Sequence, residues 1–140
     1  MEPTSLLEMI SDMDVHTVHP DDTVRSACLT LSAKSIGALP VVQNDGRLVG
    51  ILSERDVLRR SVVVYRPPEK TTVSEIMTRD PICLPPDAHP SQALDAMQKG
   101  KFRHVPVCED GMLLGIVSIR DFDIRREWEA HAENPTLRIA

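Results

Sequence analysis

The sequence predicts a mixed α/β (α+β) protein that is built from two copies of one unit. Residues 50–56 read Gly-Ile-Leu-Ser-Glu-Arg-Asp, and residues 115–121 read Gly-Ile-Val-Ser-Ile-Arg-Asp. Helical and strand-like patterns also follow one another in the same order in both halves. We therefore expect each unit to form a small three-stranded mixed sheet with flanking helices. Half of a 140-residue chain buries too little apolar surface to be stable alone, so we expect the units to pack as a pseudo-two-fold pair.

Each unit opens with a short helix, because residues 5–8 and 72–75 have the Ser/Thr-x-x-Glu spacing of a capping box. A short extended segment follows, around 15–18 in the first unit and 81–84 in the second. A longer helix comes next, and its apolar residues recur at helical spacing. They are Val24, Ala27, Cys28, Leu31 and Ile36 in the first unit, and Ala93, Leu94, Met97 and Phe102 in the second. Pro90 suits the first turn of the second long helix, where its missing N–H costs nothing.

Two strand-like runs joined by an Asp-Gly pair predict a hairpin in each unit, because glycine readily takes the positive φ that such turns need. The runs are 39–43 and 48–52 in the first unit, and 105–108 and 113–117 in the second. After each hairpin the pattern becomes helical again. We place the first unit at 5–62, a proline-containing linker at 63–71, the second unit at 72–127 and a C-terminal tail at 128–140.

The composition is that of an ordinary globular protein and argues against several classes of function. A net charge of −5 disfavours general nucleic-acid binding, which needs a basic face. No apolar run approaches the length that crosses a membrane, and the acidic N-terminus has no signal-peptide pattern. Cys28, Cys83 and Cys108 lack a C-x-x-C spacing. We therefore expect reduced thiols in a cytoplasmic protein, each a small core residue rather than a nucleophile or a metal ligand.

A Ser-x-Arg-Asp pattern stands in both units where a strand ends and a helix begins. It consists of Ser53, Arg55 and Asp56 in the first unit and of Ser118, Arg120 and Asp121 in the second. A helix N-terminus attracts anions through its free N–H groups and its dipole. The serine can donate to a phosphate, the arginine can add charge-assisted bonds, and the aspartate can accept from both hydroxyls of a ribose. The combination suits a nucleotide.

The same spacing has a purely structural interpretation, since Ser-x-x-Asp is also a variant of the capping box. A cap requires no arginine two residues after it, so its recurrence in both units favours the nucleotide site. His16 and His19 resemble half of a metal site, but no second ligand pair accompanies them, and a solvent-facing loop pair is the favoured interpretation. His104 is either a hydrogen-bonded rim residue or a phosphate contact, and both remain open.

The repeated motifs resemble CBS domains, the regulatory modules of the cystathionine-β-synthase type. The resemblance covers about residues 5–126 and is carried by residues 39–42, 45–56, 76–78, 102–107 and 110–121. It implies two CBS repeats in tandem, and such pairs commonly form dimers of pairs. Many bind AMP, ADP or ATP, and some bind S-adenosylmethionine or NAD-type ligands.

The resemblance also implies roles for individual residues. Asp56 and Asp121 would hold ribose hydroxyls, and Ser53 and Ser118 would contact phosphate. The adenine would lie near Leu39 and Pro40 in one site and near Val105 and Pro106 in the other. Thr17, Val18, Ile82 and Cys83 would wall the same clefts. Arg103 and His104 stand where the first unit has Gly37 and Ala38, so the basic pair should favour an anionic phosphate near one site.

We expect a stand-alone CBS-pair sensor that binds an adenine nucleotide as a regulatory ligand. It would act in trans on an unknown protein partner, as a homodimer, with no required cofactor or metal. The candidate pocket lacks a paired base and nucleophile, which argues against an enzyme. The alternatives are a ligand-free dimerisation or interaction scaffold, a sensor of S-adenosylmethionine or NAD, and an enzyme that acts on nucleotides.

Overall fold

The computed structural model of the protein describes residues 2–122, and within them the long helices and hairpins follow the predicted order. The end of the predicted second unit, 123–127, and the predicted tail, 128–140, lie outside these residues. In the first half these are α1 (Leu6–Ile10), α2 (Val24–Lys34), β1 (Ala38–Val42), β2 (Leu48–Ser53) and α3 (Glu54–Val57), which continues into a π-helical turn (Leu58–Val62). After a 3-10 turn (Pro68–Lys70) come α4 (Val73–Ile76), β3 (Thr78–Arg79), α5 (Pro90–Gly100), β4 (His104–Glu109), β5 (Met112–Ser118) and a 3-10 turn (Ile119–Asp121). The predicted mixed fold of two similar units is confirmed.

The hairpins form as predicted, with β1 antiparallel to β2 and β4 antiparallel to β5. Their turns place Gly46 at φ +90° and Gly111 at φ +81°, which favours glycine at both positions. The early extended segments are shorter than expected. Each contributes one parallel bridge, Val18 to Val41 and Leu84 to Val107. Nearby prolines lack the N–H that a longer ladder would need.

The third strand of the first sheet is one that the sequence did not predict. β3 follows the linker and pairs antiparallel with Gly50 and Ile51 of β2, so the sheet order is β1-β2-β3. In the part of the chain that the structure describes, the second sheet consists of β4 and β5. The two units are therefore similar in their hairpins and different at the outer edge of β2 and β5.

The predicted capping boxes at the two opening helices are incomplete. Ser5 Oγ accepts from the Glu8 N–H at 3.2 Å, but the Glu8 carboxylate bonds the N–H and hydroxyl of Thr4 instead of Ser5. Thr72 makes no cap bond, because its hydroxyl pairs with that of Ser74 at 3.0 Å. The first prediction is half right, and the second is wrong because a neighbouring hydroxyl competes for the cap.

The long helices end earlier than their apolar pattern suggested. The residues after them, Ser35 and Lys101, adopt left-handed backbone conformations with φ of 55° and 58°. Ile36 and Phe102 consequently lie beyond the helices, and their side chains fold back onto the two hydrophobic cores. Pro90 occupies the first turn of α5, as predicted.

The opening helix of each unit, α1 or α4, packs in the core of the other unit. The core of α2, β1 and β2 is completed by Val73, Ile76 and Met77, whereas Leu6 and Ile10 complete the core of α5, β4 and β5. Backbone bonds tie these helices down, from Leu6 N to Ala88 O at 2.9 Å and from Val24 N to Thr71 O at 2.8 Å. The two cores are thus joined by an exchange of helices.

The units are related by pseudo-two-fold contacts at their hairpin turns. Leu48 N donates to Gly111 O, and Leu113 N donates to Gly46 O, both at 3.1 Å. The two bonds are equivalent when the repeats are superimposed, and Arg47 bridges Met112 between them. This symmetry matches the predicted pairing of the units. Among residues 2–122 no helix has the length and apolarity needed to cross a membrane.

Candidate functional site

The first Ser-x-x-Asp motif lies where β2 passes into α3. Asp56 N donates to Ser53 Oγ at 3.1 Å, and Ser53 N donates to the Asp56 carboxylate at 3.0 Å. These reciprocal bonds form a complete capping box, so the structural interpretation of the motif is realised here. The cap bonds leave other acceptor sites on the Asp56 carboxylate. Whether a ligand could bind there depends on which other groups of the protein already bond it.

Asp56 has a further partner that comes from the other repeat. The hydroxyl of Thr78 lies 3.1 and 3.3 Å from the two oxygens of the Asp56 carboxylate. The Asp56 residue is only 8% exposed. Thr78 reaches this position because α4 packs into the first core and delivers β3 beside β2. The Asp56 carboxylate is therefore already bonded to a hydroxyl of the chain itself.

The second motif is capped in the same way but remains open. Ser118 N donates to the Asp121 carboxylate at 2.6 Å, and Arg120 N donates to Ser118 Oγ at 3.2 Å. Asp121 is exposed, and among residues 2–122 no second residue bonds its carboxylate. The residue that corresponds to Thr78 in the first repeat is Ser11, and its hydroxyl bonds Glu8 O at 3.1 Å instead.

Asp121 borders a surface cavity of about 520 Å³. The other lining residues come from the N-terminal segment, α1 and the turn after it: Glu2, Pro3, Thr4, Glu8, Met9 and Met13. A molecule in this cavity would contact both repeats, because α1 belongs to the first and Asp121 to the second. The lining combines apolar methionine side chains with carboxylates, which suits a ligand with a ring and hydroxyl groups.

His104 lies at the boundary between the two repeats. Its ring packs against Gly37, where an added Cβ would be 3.3 Å from Cε1. Burial lowers the pKa of His104, the carboxylates of Asp121 and Glu54 act to raise it, and Arg120 and Arg103 act to lower it. The imidazole thus stands within electrostatic reach of the helix starts of both Ser-x-x-Asp motifs.

The residues expected beside adenine lie deep in the two cores. Leu39, Pro40, Val105 and Pro106 are all less than 2% exposed. Val18 N donates to Pro40 O at 3.0 Å, and Leu84 N donates to Pro106 O at 3.1 Å. The early segments lie alongside β1 and β4, as expected. Because Pro40 and Pro106 are buried, a ligand beside them would contact their backbone groups.

The remaining predicted site residues lie near the surface. Thr17, Arg55, Ile82, Arg103 and Arg120 are exposed. Cys83 is exposed as well, so the expectation that each cysteine is a core residue is wrong for Cys83, whereas Cys28 and Cys108 are half-buried. Cys83 directly precedes Leu84, the single bridge residue between Pro81 and Pro85. In so short an extended segment the Leu84 side faces the core and the Cys83 side faces outward.

Sequence reasoning missed Thr78, Glu54, Met9 and Met13 as neighbours of the two motifs. Thr78 and the methionines reach them only through the exchanged helices, and no spacing along the chain signals that exchange. His19 has a local role, since its Nδ1 accepts from Asp21 N at 3.1 Å within a turn. Within residues 2–122 no three His, Cys, Asp or Glu side chains come together as metal ligands would.

Comparison with known protein families gives two matches within the chain. The family model of the CBS domain matches residues 8–63 and 73–123. Inosine-5'-monophosphate dehydrogenase of Methanocaldococcus jannaschii is 36% identical over 128 residues, which are 90% of this chain and 24% of the dehydrogenase. The protein YlbB of Bacillus subtilis is 30% identical over 125 residues, which are 89% of this chain and 82% of YlbB. The chain thus spans about a quarter of the dehydrogenase that it matches.

Solved structures resemble the whole fold. A protein with CBS domains from Burkholderia ambifaria MC40-6 has a TM-score of 0.78 and 29% identity, covering 98% of this chain and 100% of its own. The CBS domain pair of MJ0100, in complex with 5'-methylthioadenosine and S-adenosyl-L-methionine, has a TM-score of 0.76 and 28% identity over 92% and 99%. PAE2072 from Pyrobaculum aerophilum, complexed with AMP, has a TM-score of 0.76 and 25% identity over 92% and 98%.

Proposed function

The chain belongs to the CBS-domain family, and on that premise we propose that it is a regulatory module that binds an adenine nucleotide of the AMP, ADP or ATP type. It acts in trans on a partner protein and carries out no catalysis itself. Two similar pairs support the ligand class, one complexed with AMP and one with 5'-methylthioadenosine and S-adenosyl-L-methionine. Three free cysteines and the net negative charge favour a cytoplasmic protein that does not bind nucleic acid.

The observation that carries this proposal is the open carboxylate of Asp121 beside a cavity of about 520 Å³. A carboxylate with free lone pairs can accept hydrogen bonds from both hydroxyls of a ribose. Met9 and Met13 offer polarizable apolar surface for the base. We therefore place the nucleotide in the second site, with its sugar on Asp121.

The phosphate end of the nucleotide would lie toward Ser118, Arg103 and Arg120. Both guanidinium groups lie within electrostatic range of His104, as the carboxylates of Asp121 and Glu54 do, so arginine side chains are at hand for a phosphate at this end. Charge-assisted bonds from arginine to phosphate are among the stronger polar contacts in proteins. The ligand would then span the second unit from its sugar to its phosphate while its base touches α1.

The acidic lining of the cavity favours a second candidate of the same class, S-adenosylmethionine. Glu2, Glu8 and Asp121 all border the cavity. A sulfonium and an ammonium group would be attracted by these carboxylates, whereas a triphosphate would be repelled. The two candidates share the adenosine moiety and differ in the charge of the attached chain.

A ligand in this cavity could signal because it touches elements of both units. It would contact α1, which is anchored in the second core, and the helix start at Asp121. A ligand shifts a conformational equilibrium only by its unequal affinity for two states. Contacts that hold α1 against Asp121 would favour one relative arrangement of the units, and a partner protein would recognise that arrangement.

The homodimer that we propose would use the exposed apolar surface around the π-helical turn. Leu58, Val63 and Tyr65 are 55%, 62% and 93% exposed, and Val62 and Val64 lie between them in sequence. Contiguous apolar patches of this kind mark interfaces between proteins. Light scattering should give twice the chain mass of 15.6 kDa, and Val63→Glu should reduce it to one chain. A wild-type mass of a single chain would contradict the dimer.

The test of function is a calorimetric titration of ligand-stripped protein with AMP, ATP, NAD and S-adenosylmethionine. We expect micromolar binding of one of them, lost in Asp121→Ala and retained in Asp87→Ala, an exposed carboxylate away from the cavity. Preference for AMP or ATP would identify a nucleotide sensor, and preference for S-adenosylmethionine would identify the alternative. No binding by folded protein would favour a ligand-free interaction scaffold.

A further inference from the structure

Two of the three cysteines lie on the same face at the edge of the second sheet. Leu84 bridges Val107 in parallel, through bonds of 3.1 Å from Leu84 N to Pro106 O and 3.0 Å from Cys108 N to Leu84 O. Side chains alternate along an extended chain, so the residue before Leu84 and the residue after Val107 point to the same face. These residues are Cys83 and Cys108, which are diagonal neighbours on that face, and each thiol shifts the pKa of the other. Cys83 Sγ also donates to Pro81 O at 3.3 Å.

The two thiols have different chemical properties. Cys83 is exposed, and the neighbouring Cys108 thiol lowers its pKa, although partial burial acts in the opposite direction. The Cys83 thiol and, after it, burial raise the pKa of Cys108. Cys83 is therefore the more readily ionised thiol of the two. A reactive thiolate with a second thiol within reach is the arrangement found in redox-active pairs.

Cys28 provides an internal comparison. It is half-buried on α2, and burial, the larger effect, raises the pKa of its thiol while Arg25 lowers it. The chain has three cysteines, and Cys28 is the one outside the Cys83–Cys108 pair. Metal binding is a poor explanation for the pair, since in the part of the chain that the structure describes no third ligand joins the two sulfurs.

We propose that Cys83 and Cys108 are a peroxide-sensitive modification site that closes to an intramolecular disulfide. The Cys83 thiolate attacks one oxygen of a hydroperoxide, which breaks the O–O bond, forms the sulfenic acid and releases water or an alcohol. The sulfur of Cys108 then attacks the Cys83 sulfur, the S–S bond forms, and the hydroxyl leaves as water with the Cys108 proton. The two thiols are oxidised by two electrons, and the peroxide is reduced.

The position of the pair makes closure feasible and gives it a consequence. Within residues 2–122 the Cys83 segment is joined to β4 by two backbone bonds at Leu84, so the thiols can approach without breaking a longer ladder. Closure would fasten this segment covalently to β4. The proposal does not depend on the nucleotide, because it rests on the thiols alone.

The test is oxidation of the reduced full-length chain with an equimolar amount of hydrogen peroxide. Intact mass and thiol titration under denaturing conditions should show a loss of two hydrogens and a fall from three free thiols to one per chain. Peptide mapping should find Cys83 linked to Cys108, and dithiothreitol should restore all three thiols. Cys28→Ser is the matched control and should form the same link at an unchanged rate.

Single variants distinguish the steps. Cys108→Ser should accumulate a Cys83 sulfenic acid that dimedone traps, whereas Cys83→Ser should give at least tenfold less trapped product. A link that involves Cys28, a disulfide between two chains through Cys83, or conversion of Cys83 to sulfinic acid without a link would each overturn the proposal. Equal oxidation rates for Cys28 and Cys83 would overturn it as well.

Discussion

The two repeats carry the same Ser-x-x-Asp motif at the same strand-to-helix junction, yet their aspartates differ in what surrounds them. Asp56 is buried and holds the hydroxyl of Thr78, whereas Asp121 is exposed and borders an open cavity. The motif itself is intact in both repeats, with the serine and aspartate capping the following turn. The difference arises from the exchanged elements, since β3 brings Thr78 to Asp56, whereas its counterpart Ser11 bonds Glu8 O. Equivalent sequence motifs thus need not make equivalent sites.

The largest effect is expected from breaking the helix exchange that creates the difference. Leu6 and Ile76 are fully buried in the core of the opposite unit. Leu6→Ala and Ile76→Ala should each lower the free energy of unfolding by about 2–5 kcal/mol through lost burial and a cavity. Leu7→Ala, at a position that is 52% exposed, should change it by less than about 0.5 kcal/mol. Urea denaturation measures all three, and a neutral result for Leu6→Ala or Ile76→Ala would contradict the exchange.

The next effect separates binding from stability at the two aspartates. Asp121→Ala should weaken nucleotide binding by about 1–3 kcal/mol, because hydrogen bonds from sugar hydroxyls to a carboxylate are lost. Asp56→Ala should instead lower the free energy of unfolding by about 1–3 kcal/mol, because Ser53 and Thr78 lose their common partner. Calorimetry and denaturation of both variants check this contrast. Equal losses of affinity in the two variants would mean that both sites bind.

Thr78→Val tests whether the Thr78 hydroxyl causes the difference between the two aspartates, because it removes the group that bonds Asp56. The variant keeps the shape of the side chain and should lose about 1 kcal/mol of stability, the usual net value of such a bond. We also expect the nucleotide stoichiometry to rise from one toward two per chain. Thr72→Val, whose hydroxyl bonds Ser74 and not Asp56, serves as the control. An unchanged stoichiometry in Thr78→Val would show that Thr78 does not block the first site.

The smallest expected effect concerns His104, which has alanine as its counterpart in the first repeat. Burial lowers its pKa below the usual 6.5, so the unfolded chain takes up a proton at a higher pH than the folded one. His104 therefore contributes stability above about pH 6.5, and this contribution is lost as the pH falls below that value toward the folded pKa. His104→Gln should flatten this part of the stability profile between pH 7 and pH 5, by about 1 kcal/mol or less. An identical slope in wild type and variant would contradict the assignment.

Much of the local structure could be predicted from spacing alone. The Asp-Gly hairpins, the Pro90 helix start and the junctions at Ser53 and Ser118 all depend on bonds between residues a few positions apart. Local prediction failed where two local partners competed, as when Ser74 took the hydroxyl of Thr72. It also failed where a left-handed residue ended a helix before its last apolar residue, as at Ser35.

The repeat, the family and the two Ser-x-x-Asp motifs can be recognised from the residue types and their short-range spacing, because these features are local. Which aspartate is accessible depends on the tertiary structure. The Thr78–Asp56 contact and the cavity beside Asp121 depend on helices exchanged between units. The Cys83–Cys108 pair depends on one bridge between distant segments. Such contacts follow from how two cores bury their apolar surface together, and no periodicity along a single chain records that arrangement.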